Sequence, residues 1–295
     1  MSLIKIKDCY GVNKDLLASE LPPGLWSDVM NVRSNSGFSE TRRGIATAYT
    51  TPTVIPYFMC DYITTAARFN VQAGIAQVFV DDGTTRTEIT RYTDGIEIVT
   101  ITFLLAVATV TTRTAHGLSS GNNVTVFGAF PALYNVTGNI TVTGATTFTY
   151  TMAGTPATNA TTVGQYTYNV QSNFTGAVAD RVTGGSFNGV LVLNFPQDGL
   201  YYWNGDVTTR LRRIPGLYLG EKFDAVFFLK NYIIGLAPTQ GDTATPPTVF
   251  TKYPHNMRWG NAAEPGAVPV QWVAMATNDA GDTPQAAEAE GILID

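Results

Sequence analysis

The sequence predicts an all-β fold: a propeller-like domain built from repeated antiparallel hairpins, interrupted by a small β-sandwich and preceded by an extended arm. Three observations predict it. Only 14% of residues are charged against 44% hydrophobic, with 28 glycines and abundant threonine; Thr, Val, Tyr and Phe fit a pleated surface, and Gly supplies tight turns. Short apolar runs recur, separated by two-residue turns such as Asp82-Gly83 and Asn204-Gly205, the strongest local hairpin signals. Between Val99 and Gln165 the only charged residue is Arg113, and threonine recurs about every third position.

The arm occupies residues 1–49. It mixes charges with isolated apolar anchors (Leu16, Leu21, Trp26, Val29, Val32) around the Pro22-Pro23-Gly24 break. Its one stretch with helical spacing is ASELPPGLWSDVMNV, residues 18–32, with prolines where a first turn tolerates them. A segment like this buries little surface by itself, so its anchors are expected to dock on the chain's own domain or on a neighbouring subunit.

The propeller-like part is expected at 50–98 and 166–295. Ile75 to Val80 alternates as a strand, Asp82-Gly83 turns it, and Thr85 to Arg91 returns. The same rhythm resumes with Val190 to Leu193 and Leu200 to Trp203, then with Ala225 to Leu229, a Lys230-Asn231 turn, and Tyr232 to Leu236. Successive hairpins of this kind are what propeller blades look like in sequence. Without the arm and the threonine-rich module the remaining length suits about four blades. The final residues, GILID, offer no obvious closing strand. The expectation is therefore an open ring, a ring completed by partner chains, or a longer product.

The module at 99–165 holds five or six short strands between Gly, Asn and Pro turns, the pattern of a sandwich. Its most apolar run, Ile98 to Val110, contains threonines and is shorter than the ~20 residues of a membrane helix, so it reads as a buried strand or strand pair.

Charge and reactive residues exclude several functions. Six of the 23 acids lie from Trp259 onward with no base among them, leaving 18 bases against 17 acids in the first 258 residues. No basic stripe of the kind that grips a nucleic-acid backbone is present. Cys9 and Cys60 match neither a disulfide framework nor a zinc pattern. The charged N-terminus MSLIKIKDCYG lacks the apolar run of an export signal. No catalytic, cofactor-binding or metal-binding residue is predicted, and no cofactor. Only His116 and His255 are available for a histidine relay, and neither has a supporting context. His116, followed by Gly117, reads as a turn cap. Gly184-Gly185-Ser186-Phe187-Asn188 lacks the final glycine of a nucleophile elbow and reads as a turn. Asn278 to Thr283 departs from the EF-hand spacing and reads as a solvated acidic loop. The aromatics Tyr201, Tyr202, Trp203, Tyr253, Trp259 and Trp272 are expected to pack between sheets more than to stack on ligands.

Several segments together resemble tail proteins of short-tailed bacteriophages, in particular the propeller-containing nozzle or tail-tube-stabilising subunits. They are GVNKDLLASELPPGLWSDVMNVRSNSGFSETRRG, FNGVLVLNFPQDGLYYWNG, FLKNYIIGL and YPHNMRWGNAAEPGAVPVQW. TAHGLSSGNNVTVFGAFPALYN is similar to Ig-like modules of phage structural proteins. The resemblance implies a virion structural protein of the tail, assembled in the bacterial host cytoplasm and not an enzyme. Its expected partners are copies of itself in a cyclic ring, a hexamer being the expected form, with other tail or portal-adaptor proteins, tail fibres, and genomic DNA passing without sequence-specific binding. Leu25, Trp26, Arg33, Arg42 and Arg43 are the expected subunit-interface residues. The competing expectation is a receptor- or glycan-binding tail appendage with polysaccharide hydrolase activity. That chemistry needs two carboxylates at suitable separation, and Asp81, Asp82, Glu88, Asp94, Asp198, Asp206, Glu221 and Asp224 are available.

Overall fold

The turns read at Asp82-Gly83 and Asn204-Gly205 each join two antiparallel strands. A computed structural model describes residues 52–242 and 247–284 and, within 1–51, the backbone of four short strands. The chain divides into two units, Met1–Ala48 and Tyr49–Asp295.

In the first unit, β1 (Gly11–Val12) pairs in parallel with β2 (Leu25–Trp26), and β3 (Val32–Asn35) pairs antiparallel with β4 (Phe38–Thr41). Most of the 18–32 segment expected to be helical lies outside the described residues, and Leu25 and Trp26 within it are in a strand. Arg33 is in β3, opposite Glu40 in register. Arg42 and Arg43 lie outside the described residues.

The second unit is all-β; its described residues hold no α-helix and one 3-10 turn, at Ala132–Tyr134. Sheet I is a meander of β5 (Phe58–Ile63), β6 (Arg68–Ala73), β7 (Val78–Asp81) and β8 (Arg86–Glu88). The sandwich follows, with β9 (Tyr92–Asp94), β10 (Ile98–Leu104), β11 (Val107–Thr112), β12 (Asn123–Phe130), β13 (Thr137–Asn139), β14 (Thr141–Gly144), β15 (Thr147–Thr151) and β16 (Thr162–Gln171). Its sheets run β10-β11-β15-β14 and β13-β12-β16-β9, around a core that includes Ile101, Val110, Val126, Tyr134, Phe148 and Tyr166.

Sheet II contains β17 (Thr183–Phe187), β18 (Val190–Phe195), β19 (Gly199–Trp203) and β20 (Arg212–Arg213), again in sequence order. Sheet III contains β21 (Ala225–Leu229) and β22 (Tyr232–Leu236); after a side hairpin of β23 (Thr239–Gly241) and β24 (Phe250–Lys252), it is completed by β25 (Asn256–Trp259) and β26 (Gly281–Pro284).

The alternation of β18 explains how these sheets stack. Leu191, Leu193 and Phe195 join Tyr201 and Trp203 in one core against Tyr62, Phe69 and Val71 of sheet I. Val190 and Val192 join Leu200 in another, against Phe223, Val226 and Ile233. Both faces of sheet II are therefore covered, and every residue of β18 is buried. This explains why VLVLNF reads as a continuous apolar run rather than an alternating one. The first strand of sheet II lies beside the first strands of both neighbours, β5 and β21, a radial, propeller-like arrangement. Three such sheets are described where length alone suggests about four, because the side hairpin and the long link before β26 lengthen sheet III.

Candidate functional site

The root of the sandwich and the second sheet meet at Arg91. This residue falls between β8 and β9, where the chain leaves sheet I for the insertion. Its guanidinium donates from Nη1 to Asp94 Oδ2 at 3.1 Å and to the Tyr201 hydroxyl, and from Nη2 to Asp198 Oδ1 at 2.6 Å and to the Asn173 carbonyl at 3.3 Å. Tyr201 donates to Asp94 Oδ2 at 2.6 Å, and the Thr175 N–H donates to Asp198 Oδ2 at 2.6 Å. The guanidinium also lies over the Phe174 ring, 4.8 Å from its centroid, and Phe174 stacks on Phe195. One cation thus ties the chain entering the sandwich, the chain leaving it, and sheet II.

The electrostatics suit a clamp. Burial opposes the charge on Arg91, but Tyr201, Asp94 and Asp198 outweigh it, and its pKa is raised. Burial raises Asp198, while Arg91 and the Thr175 N–H pull it back. Burial, then the Asp94 charge, pushes the Tyr201 hydroxyl far upward, so it remains a proton donor.

A second buried network fixes sheet III. Arg258 donates from Nη1 to Glu221 Oε1 at 2.8 Å and from Nε to the Trp272 carbonyl at 2.8 Å. Glu221 also accepts from the Gly241 N–H at 3.2 Å and the Tyr218 N–H at 2.9 Å. Arg213 donates to the carbonyls of Tyr218 and Glu221. Between these networks lies a cleft of about 490 Å³, walled by Asp94–Val99, Thr162–Tyr166, Pro215–Leu219 and Val270. Its sandwich wall is kinked where Gly128 and Gly164 face each other between the Phe127–Gln165 and Ala129–Val163 pairs, both at positive φ, 72° and 64°.

The eight carboxylates considered for acid–base chemistry are each engaged. Asp94 and Asp198 converge, but on Arg91. Asp81 pairs with Arg86, Glu221 with Arg258, and Asp224 with Lys252. Asp82 and Asp206 close turns, accepting from the Thr84 and Thr208 hydroxyls and N–H groups, which hold both carboxyls below their ordinary value. Glu88 accepts from Gln77, Thr90 and Gln171. His116 takes a hydrogen bond from the Leu118 N–H on Nδ1, while Nε2 faces the Gly144 carbonyl at 3.2 Å, as a turn cap does. Ser186 lies inside β17, so the sequence reading of a turn there is corrected: Gly184 and Gly185 pair with Leu193 and Val192. Asp279 precedes β26 and accepts from Tyr232 and the Ala262 N–H; the reading of Asn278 to Thr283 as a solvated loop is corrected, because Gly281 to Thr283 pair with β25 as a strand. Among the described residues, no three His, Cys, Asp or Glu side chains gather as a metal ion would need, and no helix is long and apolar enough to cross a membrane.

Sequence reasoning missed the Arg91 and Arg258 networks. No local signal marks them, because arginine is usually exposed and is buried only when a partner, here distant in sequence, meets it.

No protein-family model matches the chain, and no curated protein matches it. A solved structure, Phage phi92 endosialidase, aligns with 72% of this chain and 36% of its own, at 13% identity and a TM-score of 0.22. The chain thus spans about a third of that protein's length, and a likeness of this size carries no argument.

Proposed function

We propose that the chain is a structural subunit of a phage tail, of the nozzle or tail-tube type, assembling as a cyclic ring around the path of the exiting DNA. The tail assignment rests on the sequence resemblance. The observation that carries the assembly reading is the outer face of sheet III. There Phe227, Ile234 and Trp259 stand in register, flanked by Leu229 with Tyr232 and by Leu236 with Met257. Phe227, Tyr232, Ile234, Met257 and Trp259 are half-buried on this face, Leu229 is exposed, and Leu236 is buried at its inner end. A row of this kind is the natural seat of a neighbouring subunit, and cyclic symmetry repeats it around the ring. Leu25, Trp26, Arg33, Arg42 and Arg43 supply the arm's part of the contact. The clamped sandwich projects as a rigid module.

Antibodies raised against the sandwich and imaged on intact virions test the reading. Label at the tail supports it, and label on the capsid or absent from particles contradicts it. A second reading, a glycan-binding appendage, is favoured by the cleft beside Asp94 and Glu97; saturable binding of host polysaccharide, lost on filling the cleft by Val163→Trp, would support that instead.

A further inference from the structure

The sandwich ends in a turn whose chemistry is wrong for a turn. β10 and β11 are joined at Leu104 and Val107 by the two residues Leu105-Ala106. Two-residue hairpin turns favour Asn-Gly or Asp-Gly, because they need positive φ. Here Leu105 takes φ 55°, a conformation that a leucine adopts only under strain. Leu104 and Leu105 are 77% and 73% exposed, and Val107 and Leu133 are partly exposed beside them. Leu133 belongs to the neighbouring 3-10 turn and lies against Gly154, in the loop whose Met152 N–H donates to the Ala106 carbonyl at 2.7 Å.

We propose that this tip is a lipid-contacting element, inserting its leucines into the outer part of a bilayer. Four features fit that partner. The patch is aliphatic and made of exposed side chains at a hairpin tip. The Ala106 carbonyl is already bonded to the Met152 N–H, so that acceptor enters an apolar environment with its hydrogen bond made. Charge is distant: Arg113, the single charged residue between Val99 and Gln165, lies at the other end of β11, ~20 Å along the strand. Finally, the strained backbone is kept although polar residues would relieve it, which is expected where the exposed side chain itself has the role. The attraction is purely apolar, so it does not require anionic lipid. This inference rests on the tip alone and stands whether or not the tail reading does.

The test is co-sedimentation of the full chain with sucrose-loaded phosphatidylcholine vesicles. The wild-type chain is expected to pellet with vesicles to the same extent at low and at ~1 M salt. Leu104→Asp with Leu105→Asp should lower the bound fraction about tenfold. Leu105→Asn separates binding from folding: asparagine tolerates positive φ, so the thermal midpoint should rise while vesicle binding falls. No binding by the wild type, binding indifferent to these substitutions, or binding abolished by salt would each overturn the proposal. So would self-association without vesicles that Leu104→Asp removes, which would assign the tip to a second copy of the chain.

Discussion

Arg91 Nη2 meets Asp198 Oδ1 at 2.6 Å, joining the start of the sandwich to a turn of the second sheet 107 residues away in sequence. Both side chains are largely buried, at 12% and 8% exposure, so the pair sets the orientation of the module rather than decorating its surface. Removing one partner leaves the other buried without compensation. Arg91→Ala is therefore expected to destabilise the second unit by about 3–5 kcal/mol, read as a lower denaturant midpoint. A change below about 1 kcal/mol would mean the network is solvated.

The stacked sheets predict a different sensitivity. Trp203 contacts both Tyr62 and Phe69 of sheet I, so Trp203→Ala opens a void between two sheets. Chemical denaturation should record a loss of about 3–5 kcal/mol. Trp203→Phe should retain much of that, and equal losses for the two variants would argue against tight stacking.

The kink of the cleft wall depends on Gly164. A Cβ there would stand 2.3 Å from the Phe127 carbonyl oxygen, at a φ that favours glycine. Gly164→Ala is expected to cost about 1–3 kcal/mol and to lower thermal stability. Gly117→Ala, also at positive φ but with nothing within 4 Å, should cost less. The order of the two is the readout.

Acid stability should follow the turn aspartates. The Thr208 hydroxyl, then its N–H, holds Asp206 below its ordinary value. A lowered folded-state pKa contributes stability above the unfolded value near 3.8, and that stability is lost as pH falls through the folded value. Asp198 runs the other way: burial raises it, so its contribution is present below the unfolded pKa and lost as pH rises through the folded one. Denaturation midpoints followed from neutral pH downward should fall less steeply below about pH 4 for Asp206→Asn than for wild type. Superimposable slopes would show that the turn is not coupled to folding.

Cys60, on β5, has its thiol pushed up to about 11 by burial and then by Asp61. At neutral pH it should react with a thiol reagent about 100-fold more slowly than an unperturbed cysteine, measured in a Cys9→Ser variant. Labelling at the free-thiol rate would mean that this strand is open to solvent.

The strands and turns were legible because local chemistry decides them. Asp82-Gly83 and the Lys230-Asn231 pair close hairpins, with Gly83 and Lys230 at positive φ. The module was visible because charge vanishes after Glu97 and, Arg113 apart, returns only at Asp180; its pairing begins just before that span, at Tyr92, and ends within it, at Gln171. What stayed hidden depends on distant residues meeting. Nothing near Asp198 marks it as the partner of Arg91, and nothing in YIIGL shows which face of β22 a neighbouring sheet covers. Ser186 looked like part of a turn because Gly184 and Gly185 suggest one; in the fold Gly184 is instead where β17 passes close to Val192, with its Cβ position 2.1 Å from that carbonyl oxygen.

The claim that this chain is an assembly subunit is tested most directly by native mass spectrometry of the purified protein across a range of concentrations. The account predicts one discrete cyclic oligomer, dispersed to monomers by Phe227→Asp with Ile234→Asp while the strand content is unchanged. A wild-type chain that stays monomeric at every concentration would contradict it.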